Sequence, residues 1–462
     1  MFIVMVVVFV LGYLAIALEH PLHIDKAVPA LAIGTLLWVL YIFGAYDIFS
    51  AGLSEAWNSY AHDGHGAEAE HGIKDMRHFI VDKEIIHHLG EISEILFFLL
   101  GAMTIVEVID KHDGFKIITD KIKTLKKVKL LWILSVLTFF MSAALDNLTT
   151  TIVMVALLRK LISDKETRWF FASMVVLAAN AGGAWSPIGD VTTIMLWIGG
   201  QVTAGAIITR VIVPSLFTMI VPLAVLSFTM KGSVTRPEID SNQKIYTTAF
   251  ERKLFLILGV SGLLFVPVFK TVTHLPPYMG MLLSLAIIWL VSELMHKDKP
   301  EEYRKRLRVN HILAHVDTPT IFFFLGILSA VAALQSAGQL TLMATWLDAN
   351  LGNIFLIDMA IGVLSAIVDN VPLVAGAMGM YPIEDAASIA AMTDPAAIAY
   401  AGNFVQDGLF WEFLAYCAGT GGSILIIGSA AGVAAMGMEK IDFIWYLKKI
   451  SLLALLGYVS GA

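Results

Sequence analysis

The chain has 462 residues, of which 58% are hydrophobic and only 15% charged, whereas a soluble domain averages about 25% charged residues. Together with a mean hydropathy of +0.77, this composition excludes an ordinary soluble domain and predicts an all-α polytopic membrane protein. The single cysteine excludes an intrachain disulfide. The net charge of −7 says little about the orientation in the membrane, because the distribution of Lys and Arg over the loops sets that orientation.

Two apolar runs open the chain, at about 2 to 18 and 27 to 46. The first has no basic n-region, so we interpret it as a membrane helix, although Ala15-Ile-Ala17 leaves a cleaved signal peptide as an alternative. An acidic loop follows at about 47 to 91. The spacing of its histidines matches no defined metal signature, so we expect a solvated loop that binds no transition metal. These histidines are His62, His65, His71, His78, His87 and His88.

The next apolar run, at about 92 to 109, leads into a basic amphipathic stretch at 111 to 129 that we expect along the membrane surface. The run from 130 to 162 is long enough for one span, yet Asp146-Asn147 falls at its midpoint. An ionised Asp at membrane depth costs roughly 2.5 to 3.5 kcal/mol on insertion scales. Non-helical backbone is tolerated there only where protein or a cavity satisfies it, so the run predicts a re-entrant hairpin with the polar pair at its tip.

The run at about 168 to 199 is interrupted by a polar, glycine-containing segment from Asn180 to Asp190. Within it, Ser186 suits a helix N-cap and Pro187 the first helical position, so the sequence predicts a broken helix whose second half begins there. Asp190 would lie in the first turn of that half-helix, where the dipole favours an anion. Further spans are expected at about 204 to 230, 254 to 270 and 277 to 295, with basic loops at 231 to 253 and 296 to 310.

The pattern of the first half returns after residue 318. A second Asp-Asn pair, Asp369-Asn370, follows the first at an offset of 223 residues, and a second Gly-Gly pair, Gly421-Gly422, follows the first at an offset of 239. Landmarks that recur in the same order indicate an internal repeat. The sequence therefore predicts N-terminal spans with the outer loop at 1–91, repeat one at 92–230, a linker with two spans at 231–318 and repeat two at 319–462.

Loop charge predicts the relative orientation of these repeats. The stretch 111 to 129 is strongly basic, whereas its counterpart at 337 to 352 has no Lys or Arg. Since Lys and Arg mark the cytoplasmic side, equivalent loops are expected on opposite faces, and the repeats are expected to be inverted. On this basis the loops 111–129, 231–253 and 296–310 lie in the cytoplasm.

Inverted repeats whose broken helices meet at the midplane are the architecture of secondary transporters. Asp146 and Asp369 supply charge at the two hairpin tips, and neutral oxygens can complete a shell that suits Na⁺. A carboxylate in this setting can hold a cation or a proton, and that competition is the minimal chemistry of an antiporter. Further candidate ligands are Asn147, Thr149, Thr150, Asn180, Asp190, Thr193, Asn370, Thr420 and Ser423, and the candidate broken-helix backbone is formed by Gly182, Gly183, Ser186, Pro187, Gly189, Gly421, Gly422 and Gly428.

At these residues, and from about residue 85 onward, the chain resembles the ion transporter superfamily and, within it, the NhaD-type sodium/proton antiporters. In the dicarboxylate carriers of that superfamily, Ser-Asn-Thr motifs at the hairpin tips bind sodium and the substrate carboxylate, and here each Ser position is Asp. The resemblance implies that Asp146, Asn147 and Thr149 contact the transported ion in one half, and Asp369 and Asn370 in the other. It also implies exchange of Na⁺, and of Li⁺, for H⁺ across the cytoplasmic membrane, with elevator-like movement of the hairpins.

Other interpretations stay open at this point. The two hairpin aspartates could only cap backbone amides, and Glu91, Glu94 and Glu107 could carry protons or only serve at the membrane interface. A Na⁺-coupled organic-anion, dicarboxylate or arsenite-type carrier of the same fold is the main alternative function, and a channel or an intramembrane aspartyl protease are others. We expect no enzyme activity, cofactor or nucleic-acid partner, and a homodimer in the lipid bilayer.

Overall fold

The computed structural model describes residues 1–60, 73–119, 121–237, 247–367 and 369–462. These residues are mainly helical, and in them the one β-type pairing is an isolated bridge between Lys126 and Ser233. The prediction of an all-helical chain is therefore confirmed. Of the histidines in the predicted outer loop, His62, His65 and His71 lie outside the described residues.

The helices of the first part of the chain follow one another with few long connections. They are α1 (Phe2–Ala17), α2 (Glu19–Leu22), α3 (Ala27–Ser50), α4 (Glu55–Tyr60), α5 (Ile73–Phe79), a π-helical turn (Ile80–Ile85), α6 (Ile86–Lys111), α7 (Lys116–Thr119), α8 (Lys127–Leu145), α9 (Asn147–Leu161), α10 (Lys165–Ala184), α11 (Val191–Ile198), α12 (Ala204–Thr229) and α13 (Ala249–Thr273).

The remaining helices contain the second copy of the repeated pattern. They are α14 (Pro277–Met295), α15 (Glu301–Leu307), α16 (Val309–Leu313), α17 (Thr318–Ser336), α18 (Gln339–Asn350), α19 (Ile354–Leu364), α20 (Asn370–Met380), α21 (Ala386–Ala391), α22 (Pro395–Ala401), α23 (Leu409–Gly421), α24 (Ala430–Glu439), α25 (Phe443–Lys449) and α26 (Ser451–Gly461).

Seven helical stretches in the described part of the chain are long and apolar enough to cross a membrane, and the number rises to nine if each of two bent pairs counts as one span. The bent pairs are α18 with α19, at 119°, and α25 with α26, at 52°. A helix needs about 20 apolar residues to cross the hydrocarbon core. The chain is therefore a polytopic helical membrane protein, and its bent pairs are consistent with broken helices.

The helix before the first predicted hairpin begins much earlier than the sequence suggested. We expected a loop up to residue 91, but the continuous helix runs from Met76 to Lys111, over 36 residues. Phe79, Ile80 and Glu84 are buried at the π-helical turn. Charged side chains pair on the exposed surface of the same helix, as His87 does with Glu91 at 3.4 Å. In the stretch 111–129, only α7 is helical between α6 and α8 among the described residues, and its place along the membrane surface stays a prediction.

The described residues form two compact units. The first contains Met1–Leu96, Asp317–Ile357 and Pro372–Ile383. Its centre is the contact between α3 and α17, where the backbones touch because a Cβ on Gly34 would lie 2.4 Å from the carbonyl oxygen of Gly326. Close approach at small residues is the usual way in which membrane helices pack. The indole of Trp38 adds a hydrogen bond to the Ser329 carbonyl at 3.0 Å.

The second unit contains Phe97–Val316, Asp358–Val371 and Glu384–Ala462. It holds both Asp-Asn pairs and both Gly-Gly pairs of the sequence repeat. Fully buried aromatic side chains fill its interior, among them Phe139, Trp411 and Tyr446. This unit therefore positions all the candidate residues of the predicted ion site except Glu91 and Glu94, which lie on the part of α6 that belongs to the first unit.

Candidate ion site

The first Asp-Asn pair lies where α8 ends and α9 begins. Asp146 joins the two helices with φ 122° and ψ 161°, a region that is almost reserved for glycine and costs another residue about 1 to 3 kcal/mol. Its carboxylate accepts hydrogen bonds from the Thr149 amide and from the Thr149 hydroxyl, both at 2.7 Å. The predicted break is confirmed, and Asp146 is the N-cap of α9.

The broken helix forms as predicted, but its second half begins at a different residue. We expected Ser186 as N-cap and Pro187 as first residue, whereas α11 begins at Val191 and Asp190 is its N-cap. Asp190 accepts bonds from the Thr192 amide at 2.9 Å and from the Thr192 hydroxyl at 2.8 Å. The Ser186 hydroxyl donates to the carbonyl oxygen of Ala143 and accepts from the Ile188 amide at 3.4 Å. It therefore fastens the turn between α10 and α11 to α8, and no helix begins at this residue.

Buried amide side chains connect the two halves around Asp190. Asn147 donates to Oδ1 of Asn180 at 3.1 Å and to Oδ2 of Asp190. Asn370, from the second Asp-Asn pair, also donates to Asp190, at 3.4 Å to Oδ1. All four side chains are at least nine-tenths buried, with Asn180 and Asp190 at 0% and 1% exposure. One carboxylate thus receives an amide from each copy of the repeated motif.

Asn180 extends this network to the second broken helix. Its amide donates to the hydroxyls of Ser423 and Ser429, each at 2.9 Å. Ser429 is the N-cap of α24 and also accepts from the Gly432 amide at 3.1 Å. We give the name polar cluster to these six hydrogen-bonded residues together with the two hairpin aspartates, whose charges act on Asp190: Asn147, Asn180, Asp190, Asn370, Ser423 and Ser429, with Asp146 and Asp369.

The sequence repeat is also a repeat of contacts. In the first half the Ser142 hydroxyl donates to the Ala179 carbonyl at 2.6 Å, and in the second half the Ser365 hydroxyl donates to the Ala418 carbonyl at 3.1 Å. These partners obey the offsets of 223 and 239 residues.

Two glycines repeat the same arrangement. A Cβ added to Gly189 would lie 3.0 Å from the Ser142 carbonyl oxygen, and one added to Gly428 would lie 2.5 Å from that of Ser365. Both halves therefore place hairpin and broken helix against each other in the same way. The inverted orientation of the two repeats stays a prediction.

Charge distinguishes the two halves of the polar cluster. The cap of the first broken helix is Asp190, whereas the cap of the second is Ser429. Asp369 accepts a bond from the Val371 amide at 3.2 Å, and its charge acts on Asp190 together with that of Asp146. Three carboxylates therefore share one neighbourhood, two of them from the first half.

The three carboxylates do not form a ready shell around one ion. In the part of the chain that the structure describes, no three His, Cys, Asp or Glu side chains converge on a point that a metal ion could occupy. The amides of Asn147 and Asn370 lie between them and donate their N–H groups to Asp190. Their Oδ1 atoms are then left as neutral acceptors, which a hard cation such as Na⁺ binds together with a carboxylate.

Several predicted site residues have other partners. The Thr193 hydroxyl donates to the carbonyls of Ser186 and Asp190, at 2.7 and 2.9 Å, and so closes the turn between α10 and α11. The Thr420 hydroxyl donates within its own helix, to Tyr416 at 2.7 Å. The Thr150 hydroxyl is buried and makes no hydrogen bond to any described residue. We infer that Thr193 and Thr420 support the backbone rather than bind an ion.

Glycines hold the broken helices close to the hairpins. An added Cβ on Gly182 would strike the Phe139 carbonyl, and one on Gly421 would strike the carbonyl of Gly362. Gly183 and Gly422 abut the carbonyls of Gly189 and Gly428 in the same manner. These residues act through their small size. Pro187 lies in the turn before α11.

The three glutamates of α6 fit the interfacial alternative better than a proton path. Glu91 pairs with His87 and His88 at 3.4 and 3.2 Å, and its side chain is 59% exposed. Glu107 pairs with Lys111 at 2.9 Å, one helical turn away. Glu94 is half-buried on the same helix.

Sequence reasoning missed two buried polar residues of the second unit. Ser429 lies at the offset of 239 residues from Asp190 and was not named as a site residue. Asp358 on α19 is fully buried, and neither carboxylate oxygen has a hydrogen-bond partner in the described residues. Its counterpart at the offset of 223 residues, Ser135, is likewise buried and unpartnered. An Asp within the apolar run 354–364 was the available signal.

Comparisons with known proteins agree with this architecture. A family model described as citrate transporter matches residues 7–401. Sodium/proton antiporter 1 of Arabidopsis thaliana is 44% identical over 99% of the chain and 71% of its own length. Sodium/proton antiporter 2 of the same plant is 42% identical, over 99% of the chain and 97% of its own length. The Na⁺/H⁺ antiporter NhaD of Alkalimonas amylolytica is 28% identical, over 99% and 89%.

Proposed function

Since this chain belongs to the citrate-transporter family and is a homologue of the NhaD antiporters, we propose that it exchanges Na⁺ for H⁺ across a membrane. Three relatives whose names state sodium/proton exchange align with 99% of its residues. These relatives support the choice of transported ions, and the polar cluster supports the place where they bind.

One observation carries the proposed mechanism: Asp190 accepts amide hydrogen bonds from Asn147 and Asn370. These two amides belong to the two copies of the repeated motif. A change of charge at either hairpin tip therefore acts on the same carboxylate, that of Asp190. Cation and proton bind alternately to Asp146 and Asp369 in this mechanism. Asp190 supports them by holding the amides that supply neutral oxygens.

The charge of the cluster favours a cation over an organic anion. Its three aspartates would repel a carboxylate substrate, and none of its members is Lys or Arg. The family description nevertheless names citrate, so a Na⁺-coupled anion carrier is the second candidate. If the chain is such a carrier, uptake of an organic anion should depend on Na⁺. Addition of Na⁺ without the anion should then cause no proton movement.

Finer features belong to the same proposal. We expect Li⁺ to replace Na⁺, because a small shell of carboxylate and amide oxygens suits both ions. We propose that the chain is a homodimer in the cytoplasmic membrane, with the loops 111–129, 231–253 and 296–310 in the cytoplasm. The repeats at 92–230 and 319–462 are inverted and move as an elevator.

The test is Na⁺-driven proton movement in everted membrane vesicles that contain a pH-sensitive dye. The native chain should alkalinise the vesicle interior when Na⁺ or Li⁺ is added. Asp146→Asn should abolish that signal at equal protein amount, because the variant keeps an N-cap but removes the charge. Asp164→Asn is the matched control, since Asp164 also caps a helix by accepting from a Thr amide three residues on, at 2.8 Å, and lies outside the cluster.

Two results would contradict the proposal in different ways. Normal exchange by both Asp146→Asn and Asp369→Asn would remove the carboxylates from the mechanism. Absence of any response to Na⁺, Li⁺ or K⁺ in the native chain, with Na⁺-dependent uptake of citrate, would make the anion carrier the function.

A further inference from the structure

A pair of buried histidines joins three helices at a place separate from the polar cluster. His112 follows the last residue of α6 and His296 follows the last residue of α14, and their Nε2 atoms lie 2.8 Å apart. Their exposures are 0% and 1%. Both rings stack near Phe255 of α13, with ring centroids at 3.6 and 5.9 Å. The contact therefore connects α6, α13 and α14.

The hydrogen bonds determine which nitrogen of each ring carries hydrogen. Nδ1 of His112 lies 2.7 Å from the carbonyl oxygen of Val108, and a carbonyl only accepts, so Nδ1 of His112 is the protonated nitrogen. In the neutral ring its Nε2 is then an acceptor. His296 must donate to it from Nε2, which leaves Nδ1 of His296 as a bare lone pair. That atom is buried and has no hydrogen-bond partner among the described residues.

A carboxylate faces the bare nitrogen. Oε1 of Glu251, on α13, lies 4.0 Å from Nδ1 of His296. Lys299 holds the same carboxylate at 2.7 Å, and the Thr248 amide donates to it at 2.8 Å. Burial of the ring and, after it, the positive charge of Lys299 oppose an added proton on His296, whereas Glu251 attracts it. A more distant carboxylate, Glu293, adds a weaker attraction.

The arrangement has room for one added proton. A proton on Nδ1 of His296 creates an ion pair with Glu251 and preserves the bond between the two rings. A proton on Nε2 of His112 would instead place two N–H groups against each other and break that bond. The first protonation joins α14 to α13 more firmly, and the second opposes the contact between α6 and α14.

We propose that His112, His296 and Glu251 form a proton-binding site that takes up one proton on Nδ1 of His296 and thereby sets the rate of exchange. The segments that meet here include the starts of 111–129 and 296–310 and the end of 231–253, all of which the sequence predicts to be cytoplasmic. The site then responds to cytoplasmic pH. Its effect on exchange rests on the proposed function, whereas proton binding itself does not.

The titration can be measured without transport. Solid-state NMR of the full-length protein with isotope-labelled histidine in liposomes separates Nδ1–H, Nε2–H and doubly protonated rings, and His112→Gln and His296→Gln assign the two signals. We expect His112 to remain in the Nδ1–H form while His296 changes from the Nε2–H form to the charged form as the pH falls.

Two substitutions should shift the midpoint of that change in opposite directions. Glu251→Gln keeps the capping box of α13 but removes the attracting charge, so the midpoint should fall by about one pH unit. Lys299→Gln removes the opposing charge and should raise it by a similar amount. His315→Gln is the matched control, because His315 is an exposed histidine whose ring bonds within its own turn, at 2.8 Å to the His311 carbonyl, and lies outside the proposed site. Unshifted midpoints in both charge variants would overturn the site.

The pH profile of Na⁺-driven exchange in everted vesicles tests the second half of the proposal. The profile should move in the same directions as the NMR midpoint for Glu251→Gln and Lys299→Gln, and should not move for His315→Gln. A shifted NMR midpoint with an unmoved exchange profile would overturn the regulatory role. If the native chain shows no exchange at all, the proposed function fails, and the NMR result still decides the proton site.

Discussion

Replacing Asp190 by Asn should destabilise the second unit, because it replaces one hydrogen-bond acceptor at the centre of the polar cluster by a donor. Oδ1 of Asp190 accepts two bonds from Thr192, and Oδ2 accepts from Asn147. In Asp190→Asn the amide oxygen can keep the Thr192 bonds, so the amide nitrogen then faces the Asn147 amide nitrogen. A flip of Asn147 alone gives no relief, since its oxygen would face Oδ1 of Asn180. A second flip, of Asn180, would require the Ser423 and Ser429 hydroxyls to change from acceptors to donors. Losing a buried charge-assisted bond and leaving a donor unsatisfied costs about 2 to 4 kcal/mol.

The assay is resistance to heat in detergent, measured as the fraction of protein that stays monodisperse in size-exclusion chromatography after a fixed heating step. Asp164→Asn is again the control, because Asp and Asn rank equally as N-caps, and it should behave like the native chain. Asp190→Asn should lose monodisperse protein at a clearly lower temperature. Equal heat resistance of the two variants would show that the assigned donors and acceptors around Asp190 are wrong.

Three further predictions concern packing, an unpartnered carboxylate and pH. Gly182→Val should abolish accumulation of folded protein in membranes, because its Cβ would strike a backbone carbonyl, whereas Gly205→Ala, with nothing within 4 Å of the added atom, should accumulate normally. Asp358→Leu should resist heating at least as well as the native chain, since the carboxylate that it removes has no hydrogen-bond partner in the described residues. A loss of heat resistance in Asp358→Leu would show that this carboxylate stabilises the fold. Hydrogen bonds from Thr167 lower the pKa of Asp164. The part of its stabilising effect that depends on charge should therefore be full above the ordinary aspartate pKa, about 3.9, and should be lost as the pH falls through the lower folded value, so Asp164→Ala should reduce heat resistance more at neutral pH than in strong acid.

The repeated motifs could be predicted because each is a local departure from an apolar background. An Asp-Asn pair in a long hydrophobic run must break the helix or find partners, and two such pairs at a fixed offset indicate one repeated unit. The structure confirms the breaks at Asp146 and near Asp190. It also shows contacts that repeat at the same offsets, as for Ser142 and Ser365.

The position of the second half-helix could not be predicted from local propensity. Ser186 and Pro187 form a good start signal, but the Ser186 hydroxyl finds the Ala143 carbonyl across the hairpin. Asp190, which accepts bonds from both the amide and the hydroxyl of Thr192, is the better cap four residues later. The Ser186 hydroxyl still accepts from the Ile188 amide, but the contact with Ala143, which the sequence does not show, holds this segment as a turn against α8.

The histidine pair was not predictable, for a related reason. His112 and His296 are 184 residues apart, and each looks like an ordinary residue at a helix end. Only the fold brings their rings together beside Phe255 and Glu251. Asp358 was visible in the sequence, but its lack of a partner is a property of the packed helices around it.

The asymmetry of the polar cluster follows from the difference between Asp190 and Ser429. Both cap the second half of a broken helix, and both accept from an asparagine of the first half. A hydroxyl can accept such a bond without adding charge, whereas a carboxylate adds one negative charge that its neighbours must balance. With Asp146 and Asp369 already present, a third ionised carboxylate in low dielectric is strongly unfavourable unless a cation or a proton is bound. In the proposed mechanism, the extra aspartate of the first half therefore makes the empty, fully ionised cluster the unstable state, so that release of one ion favours uptake of the other. That is the condition an exchanger requires, and a symmetric cluster with two serine caps would meet it less well.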